Sequence, residues 1–197
     1  MPLNIKKCRN CNSKSIKELF SLGKIKLTGK FPRRNEKIPF GNLTLVMCAS
    51  CKLVQLKEIF NMKYLYNQNY GYRTGINFTM RNHVKKVVEK LTNIVELSTN
   101  DKVLDIASND ATLLNFYSNK VIKYGVDPIL NKYKKEYKSI DYKFPNFFDY
   151  KIFLKKNSKP KFKIITALSV FYDLKNPNIF LDGVKKILHE DGVFYLE

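Results

Sequence analysis

All four cysteines of the chain stand in two Cys-x-x-Cys pairs, Cys8-Arg-Asn-Cys11 and Cys48-Ala-Ser-Cys51. Two such pairs can place four thiolates at the corners of a tetrahedron, about 2.3 Å from one Zn²⁺. The alternatives are two disulfides or four reduced, buried thiols. The first 30 residues contain no apolar stretch of the signal-peptide type, which favours a cytoplasmic chain with reduced thiols. The spacing therefore predicts a structural zinc site with no position open to substrate.

The chain has 197 residues, of which 44% are hydrophobic, and this is enough for one ordinary domain with a core and one small module. A metal would help the small module, because a core alone rarely stabilises a unit of roughly 40 residues or fewer. No apolar run approaches the roughly 20 residues that cross a bilayer, so we expect no membrane partner.

The formal net charge of +19 raises the question of a nucleic-acid partner. The excess is mostly lysine, and the lysines are spread along every segment instead of forming one block. A diffuse charge of this kind makes nucleic acid an unexpected partner. The alternative is a basic zinc protein that binds nucleic acid with Tyr64, Tyr66 and Tyr72 as stacking platforms.

Sequence patterns divide the chain into a zinc-binding domain at 1–60, a tyrosine-rich linker and helix at 61–98, and an α/β domain at 99–197. The first domain should contain short strands at 18–23, 41–46 and 53–56, with loops at 29–32 and 38–41. Residues 61–76 show no clear periodicity and are expected to be a loop. Asn77 can cap a helix that runs to about Leu97. Six residues at helical spacing would bury one face of it: Val84, Val87, Val88, Leu91, Ile94 and Val95.

From residue 102 onward, short apolar strands alternate with amphipathic helices. Strands are expected at 103–107, 121–126, 140–144, 162–167 and 192–196. One helix should begin near Leu113, and another should run from about Pro177 to Leu188. This alternation predicts a parallel, doubly wound sheet with right-handed crossovers.

Polar residues follow three of these strands, at the edge where such sheets bind ligands. Asp105 opens a turn that continues Ile-Ala-Ser-Asn-Asp-Ala111, and Asp127 ends the next strand about 20 residues downstream. A carboxylate there can accept hydrogen bonds from ribose hydroxyls. The fourth strand ends in Ala167-Leu-Ser-Val-Phe-Tyr-Asp173. Each aspartate alone is more simply a solvated turn residue, but their joint occurrence favours a cofactor site.

Seven stretches, in this order, resemble the S-adenosylmethionine-dependent sugar C-methyltransferases, which act on nucleotide-linked deoxysugars. They are Cys8 to Cys11, Cys48-Ala-Ser-Cys-Lys-Leu-Val-Gln-Leu56, Tyr70-Gly-Tyr-Arg-Thr-Gly-Ile-Asn77, the stretch 103–114 (Val-Leu-Asp-Ile-Ala-Ser-Asn-Asp-Ala-Thr-Leu-Leu), Gly125-Val-Asp-Pro128, Phe171-Tyr-Asp-Leu-Lys-Asn-Pro177 and 188–197 (Leu-His-Glu-Asp-Gly-Val-Phe-Tyr-Leu-Glu). The resemblance implies a Rossmann-like class I methyltransferase sheet after a small zinc-binding domain. Residues 99–197 would be the N-terminal part of the methyltransferase domain, with S-adenosylmethionine as cofactor and Zn²⁺ in a structural role. The reaction would methylate a carbon next to a keto group of a nucleotide sugar.

The resemblance also implies roles for individual residues. The cofactor would be bound by Asp105, Ala107, Asn109, Thr112, Asp127, Asn146, Ala167, Leu168 and Ser169, with Phe147 next to the adenine. The nucleotide sugar would contact Tyr72, Arg73, His83 and Tyr172. Arg73 is the better phosphate ligand, because its planar guanidinium can pair with two oxygens. For His83 the alternative is a polar-face residue of its helix.

Two departures from the family pattern stand out. The family usually has glycine at the position of Ala111, and often at Ala107, where glycine allows positive φ and close approach of the cofactor. The family sheet has seven strands, about five of which are expected here, and its catalytic base follows the glutamate that matches Glu197. The resemblance therefore implies a fragment, with its C-terminal half missing or present as a separate chain, and names no catalytic base in these residues. An inactive scaffold is the alternative.

Overall fold

The computed structural model describes residues 3–26, 32, 34–154 and 160–197. The chain forms two compact units, Met1–Gly71 with Lys175–Asn178 (unit 1) and Tyr72–Leu174 with Ile179–Glu197 (unit 2). None of the described helices is both long and apolar enough to cross a membrane. Residues 29–31 of the expected loop at 29–32 lie outside the described residues. The three-part division at residues 60 and 98 stays a prediction.

Unit 1 is built from short antiparallel strands. Its elements are β1 (Leu3–Asn4), β2 (Ile16–Lys26), β3 (Phe40–Cys48), β4 (Val54–Leu56), β5 (Glu58–Ile59) and the helix α1 (Met62–Leu65). Strands β2, β3 and β4 form one sheet in that order, and β1 pairs with β5 in a second. The three predicted strands of this region are confirmed as β2, β3 and β4, whereas the two-residue strands β1 and β5 are too short to show a pattern.

Burial in unit 1 follows strand geometry. In the second half of β3 every other side chain is buried, namely Thr44, Val46 and Cys48, as expected when successive side chains point to opposite faces. In contrast, none of the residues of β2 is buried. The prediction of a structureless loop at 61–76 is wrong at α1, where Asn61 Oδ1 accepts a hydrogen bond from the Lys63 N–H at 3.0 Å. A single capped turn is too short to show helical periodicity.

Unit 2 contains a five-stranded parallel sheet flanked by helices. Its elements are α2 (Phe78–Ile94), β6 (Lys102–Ile106), β7 (Ile122–Val126), β8 (Tyr142–Phe144), α3 (Lys151–Leu154), β9 (Phe162–Ala167), α4 (Pro177–Ile187) and β10 (Leu188–Leu196). The strand order is β10-β9-β6-β7-β8, and every neighbouring pair is parallel. This is the expected doubly wound α/β sheet, so the predicted fold class and all five strands are confirmed.

Short 3-10 turns replace some of the expected structure in unit 2. They lie at Thr74–Ile76, Leu114–Phe116, Leu130–Tyr133 and Phe171–Asp173. The prediction of an amphipathic helix from Leu113 is wrong, because only one such turn forms there. The reason is spacing: β7 already begins at Ile122, and the polar residues 118–120 lie between the two elements.

Helix α2 begins where the sequence predicts. The Asn77 side chain accepts a hydrogen bond from the Met80 N–H at 3.2 Å and caps the helix. Five of the six predicted residues are buried: Val84, Val87, Val88, Leu91 and Val95. The prediction that Ile94 is buried is wrong, since this residue is 60% exposed. It is the last residue of the helix and lies roughly 80° from Val84 around the helix axis.

The core of unit 2 is an aromatic cluster beside the sheet. Phe153 and Phe162 are both completely buried, and their ring centroids are 5.3 Å apart. Phe153 also contacts the rings of Tyr124, Phe144 and Phe148. Rings of this size bury a large apolar area and pack in edge-to-face pairs, so this cluster stabilises the sheet that carries the loops.

Candidate functional sites: a four-cysteine metal centre and the carboxyl edge of the sheet

The four cysteine sulfurs of unit 1 come together at one point. Cys8 Sγ lies 3.6 Å from Cys51 Sγ, and Cys11 Sγ lies 3.6 Å from Cys48 Sγ. All four sulfurs lie within 4.8 Å of one another. Four sulfurs at 2.3 Å from a tetrahedral metal would be about 3.8 Å apart, so the two pairs at 3.6 Å and the 4.8 Å limit on all pairs are compatible with one Zn²⁺.

The two Cys-x-x-Cys pairs adopt the same backbone conformation. The N–H of Cys8 donates to Ser13 O at 2.8 Å, and the N–H of Cys48 donates to Leu53 O at 2.9 Å. The residue after each second cysteine has positive φ, 61° at Asn12 and 64° at Lys52. This left-handed residue turns the chain so that both thiols of a pair face the same point.

Backbone and side-chain donors around the sulfurs favour the thiolate form at two positions. Burial would raise the pKa of Cys8, but N–H groups of Cys11 and Asn10 lower it to about 6. A hydrogen bond from the Cys51 backbone likewise lowers the pKa of Cys48. Thiolates are the form that binds a metal, so these donors prepare the site for a cation.

Gln55 does not belong to the four cysteines but forms a hydrogen bond with one of them. Its Nε2 donates to Cys8 Sγ at 3.3 Å, and its Oε1 accepts from the Arg9 N–H at 3.1 Å. Gln55 is buried, and it belongs to the Cys48–Leu56 stretch noted above. Such outer contacts orient a metal ligand. Sequence reasoning gave Gln55 no role, although its place in the alternating strand β4 could have indicated an inward-facing side chain.

In unit 2, the strand register brings the predicted cofactor residues to one edge. Ile106 is paired with Val126 on one side and with Ala167 on the other. The chain adds β7 and β8 on one side of β6 and then β9 and β10 on the other side, so the order of strands switches between β6 and β9. Open α/β sheets bind ligands in the crevice that this reversal creates at the carboxyl edge. Ala107, Asp127 and Ala167 therefore share the edge where a ligand is expected.

Asp105 lies beneath this edge rather than on it. Its side chain is buried, and Oδ1 accepts a hydrogen bond from Thr166 Oγ1 at 2.6 Å. Burial raises the pKa of Asp105 to about 7, with a contribution from Asp127, and the Thr166 hydrogen bond only partly offsets this. Asp105 thus connects β6 to β9 next to the crevice.

Asp127 is the acceptor at the end of β7. Its Oδ2 accepts from the Asn109 N–H and its Oδ1 from the Ile129 N–H, each at 2.8 Å. Burial raises its pKa to about 6, and the two N–H groups limit the rise. A carboxylate oxygen can accept two hydrogen bonds, so each oxygen retains capacity for a further donor.

The residues that follow β6 form a tight turn, the β6 turn (residues 107–112). Non-glycine residues adopt the left-handed conformation at three of its positions, with φ of 60° at Ala107, 48° at Asn109 and 60° at Ala111. The two alanines are the positions where the resembled family has glycine, so the geometry preferred by glycine is kept. Ala111 is fully buried, and its Cβ atom makes the positive φ costly.

The segment 72–76, here named the strap, is bound to the β6 turn by four hydrogen bonds. Two involve the Asn109 side chain: Oδ1 accepts from the Thr74 N–H at 3.0 Å, and Nδ2 donates to Tyr72 O at 3.2 Å. The other two reach Asp110 Oδ2, from the Gly75 N–H at 3.0 Å and from Arg73 Nε at 2.9 Å. Two stretches singled out in the sequence, 70–77 and 103–114, are therefore hydrogen-bonded to each other through residues 72–75 and 109–110.

Arg73 is engaged by protein carboxylates on both sides of its guanidinium. Besides Asp110, it contacts Glu136 through Nη2 at 2.5 Å, and it lies 5.3 Å from the ring centre of Tyr133. The hydrogen bond with Asp110 raises the pKa of Arg73 further. In the structure, Nε and Nη2 of Arg73 thus pair with protein carboxylates, and the role of Arg73 as a phosphate ligand stays a prediction.

The remaining predicted residues occupy varied positions. His83 Nε2 lies 2.7 Å from Glu197 Oε2, whose other oxygen accepts from Tyr195. Thr112 Oγ1 donates to Asp110 Oδ1 at 2.6 Å and therefore faces the turn. The other side chains are partly or largely exposed: Tyr72, Asn146, Phe147, Leu168, Ser169 and Tyr172. Asn146 and Phe147 follow β8, which is the edge strand beside β7 and does not neighbour β6 or β9.

Sequence reasoning missed four residues of this network. Asp110 is 1% exposed and accepts four hydrogen bonds, yet it had no assigned role. Tyr137 donates to Asn109 O at 3.0 Å from a fully buried position. Tyr133 and Glu136, which flank Arg73, complete the set. Asp110 could have been found from its place in the strand-end motif, but residues 133–137 carried no recognisable signal.

Comparison with known proteins supports the N-terminal assignment. Residues 8–66 match a family model, Methyltransf_13, whose description is "Putative zinc binding domain". The match includes all four cysteines and the Gln55 position. No curated protein matches the sequence.

Solved structures with a similar fold include several methyltransferases. The YcgJ protein from Bacillus subtilis is 20% identical over 58% of this chain and 50% of its own, with a TM-score of 0.45. An S-adenosylmethionine-dependent methyltransferase from Clostridium acetobutylicum is 21% identical over 61% and 50%, with a TM-score of 0.45. One from Thiobacillus denitrificans, in complex with S-adenosyl-L-homocysteine, is 14% identical over 56% and 47%, with a TM-score of 0.42. The chain thus spans about half the length of these proteins, and its fold class rests on its own strand order.

Proposed function

We propose that unit 2 binds S-adenosylmethionine at the carboxyl edge of its sheet and serves methyl transfer. The observation that supports this best is the position of Asp127 at the end of β7, beside the reversal of strand order next to β6. A nucleoside-type ligand in such a crevice gives its ribose hydroxyls to an acidic residue at this position.

The residues present fit this cofactor. Asp127 is held by two backbone N–H groups, so its carboxylate has a fixed orientation and still has acceptor capacity toward the edge. The left-handed residues Ala107 and Asn109 turn the chain sharply at the end of β6, where a backbone must make room for a ligand. When bound, S-adenosylmethionine would supply an activated methyl group.

We further propose the substrate class implied by the resemblance, a nucleotide-linked keto-deoxysugar methylated at the carbon next to the keto group. Tyr72 and Tyr172 support this, because both side chains are exposed, to 42% and 68%. In this reaction the protein would align the nucleophilic carbon with the methyl group and stabilise the enolate oxygen.

Calorimetric titration of the full chain with S-adenosylmethionine tests the cofactor proposal. We expect micromolar to sub-millimolar affinity for the wild-type chain, and a loss of roughly 10- to 100-fold in Asp127→Asn, the size of one hydrogen bond to a charged group. Asp101→Asn is the matched control. It removes the same charge directly before β6, at the amino edge, and should leave the affinity unchanged.

Three results would count against this proposal. Equal affinities of wild type and Asp127→Asn would remove Asp127 from the site. No heat at high cofactor concentration would favour the scaffold interpretation. Steeply salt-dependent binding of generic oligonucleotides, with no cofactor binding, would favour a nucleic-acid-binding protein.

A further inference from the structure

We propose that Arg73 and Asp110 are positioning residues for the cofactor site, acting through the strap and Asn109 on the Asp127 carboxylate. The inference rests on the proposed function, because it assigns the residues that set the geometry of the same site. It replaces the interpretation of Arg73 as a substrate phosphate ligand.

The first step is the ion pair between Arg73 and Asp110. Asp110 is 1% exposed, and its two oxygens are fully used by Arg73, the Gly75 N–H and the hydroxyl and N–H of Thr112. A buried carboxylate of this kind requires its cation, since leaving it unpaired is costly. Arg73 therefore fixes the strap at one place on the β6 turn.

The second step is the close approach of the strap backbone to two side chains of the β6 turn. A Cβ atom at Gly75 would lie 2.6 Å from Asp110 Oδ2 and 2.7 Å from Thr112 Oγ1. A larger residue therefore requires a shift of the strap or of these two side chains. The strap is therefore in direct contact with the turn, and the glycine of the 70–77 stretch has a physical role.

The third step is the Asn109 side chain, which the strap holds at both ends. Its amide accepts from Thr74 and donates to Tyr72 O, while φ at Asn109 is 48°. This left-handed conformation is costly even for asparagine, so it persists where neighbouring contacts determine it. The strap supplies two of those contacts, and Tyr137 supplies a third through the Asn109 carbonyl.

The last step connects Asn109 to the ligand-binding carboxylate. The Asn109 N–H donates to Asp127 Oδ2 at 2.8 Å, so the conformation of Asn109 sets the orientation of that carboxylate. If the strap is released, Asn109 loses its support, and Asp127 loses one of its two fixed donors. Arg73 and Asp110 thus act on the cofactor without contacting it.

Cofactor affinity tests the inference, with S-adenosylmethionine as the probe and the full chain as the protein. Measurements are made at a temperature where circular dichroism shows every variant folded. Arg73→Gln and Asp110→Asn should each lower the affinity roughly 10-fold, and the double variant should lose no more than either single one, as expected for coupled neighbours. Arg73→Lys keeps the charge but contacts only one carboxylate, so it should recover part of the affinity.

Two further variants separate positioning from charge and from general stability. Gly75→Ala changes no charge but displaces the strap, so it should also weaken cofactor binding. Arg81→Gln removes an exposed arginine that makes no ion pair among the described residues, and it should bind as wild type does. A purely structural role would lower the melting temperature of these variants while their folded fraction keeps wild-type affinity.

The outcomes distinguish this inference from the proposed function. Wild-type affinity in Arg73→Gln, Asp110→Asn and Gly75→Ala, together with weak binding by Asp127→Asn, would overturn the positioning role and leave the cofactor site intact. If Arg73→Gln does not fold, Gly75→Ala and Arg73→Lys provide the same test. A wild-type chain that binds no S-adenosylmethionine would end both proposals.

Discussion

The two units of this chain differ in what stabilises them. In unit 1 the buried hydrophobic side chains among the described residues are Cys8, Val46 and Cys48, two of which belong to the metal centre, and β2 has no buried residue. In unit 2 an aromatic and aliphatic cluster fills the space beside a parallel sheet. A small unit with so little buried apolar surface needs an additional source of stability, and zinc bound by the four cysteines would supply it. The unit with the large core can instead accept strain and buried charge at its edge.

The largest expected effect is the loss of the metal centre in unit 1, which would show whether the two units are stabilised separately. Removing Zn²⁺ with a chelator, or substituting Cys48→Ser, should unfold unit 1 while unit 2 keeps its sheet, because binding of a structural zinc is worth about 10–16 kcal/mol. Elemental analysis should find one zinc per chain before treatment. Two-dimensional NMR would show which residues lose dispersion. Loss of signals from both units, or from neither, would contradict the separation.

The second prediction concerns the aromatic core of unit 2 and tests the other side of the comparison. Phe153→Ala should lower the free energy of unfolding of unit 2 by about 3–5 kcal/mol, because it leaves a cavity among four aromatic rings. Urea denaturation followed by tyrosine fluorescence measures the change. Phe20→Ala in β2 is the control: Phe20 is 53% exposed, so its loss should cost less than about 0.5 kcal/mol. Comparable losses in both variants would mean that unit 1 depends on its apolar side chains after all.

The third prediction concerns Asp105, a buried carboxyl group in unit 2. Burial raises the pKa of Asp105 to about 7, so the folded state holds the proton more tightly than the unfolded chain does. Stability should therefore fall as the pH rises from about 4 to 7, by at most about 4 kcal/mol. Asp105→Asn keeps an oxygen acceptor for Thr166 and should remove this loss.

Denaturation curves at pH 5 and pH 8 check the sign for Asp105. The variant should exceed the wild type in stability at pH 8, and the difference should shrink at pH 5. Asp182→Asn, an exposed substitution on α4, provides a control that should leave the pH dependence unchanged. A variant that is less stable than the wild type at pH 8 would show that the charged Asp105 is favoured in the folded protein.

Local sequence signals predicted the elements of both units better than the contacts between those elements. Short apolar runs identified β6, β7 and β9, and Asn77 marked the start of α2, because strand burial and helix capping depend on neighbouring residues. The cysteine spacing predicted the metal centre for the same reason. In contrast, the pairing of the strap with Asn109 and Asp110 joins residues about 35 positions apart, and no periodicity encodes it.

The departures from prediction also have local causes. Ile94 has the apolar character of its neighbours but stands at the end of α2, where the helix no longer covers it. The Arg73 side chain can pair with two oxygens, which predicts a phosphate ligand, and that role stays a prediction. In the structure the side chain pairs with the carboxylates of Asp110 and Glu136. The residue type indicates an anionic partner, but it does not indicate which anion the fold brings to it.

The smallest expected effect concerns the strained turn that the core of unit 2 supports. Ala107 has φ of 60° and is only partly buried, so Ala107→Gly should relieve strain of about 1 kcal/mol at little cost in packing. Thermal unfolding would show a small rise in melting temperature. Ala167→Gly is the matched control in β9, where φ is not positive and the methyl group is buried, and it should destabilise unit 2. If glycine at 107 also lowers cofactor affinity, the strained alanine contributes to a preformed site at a cost in stability.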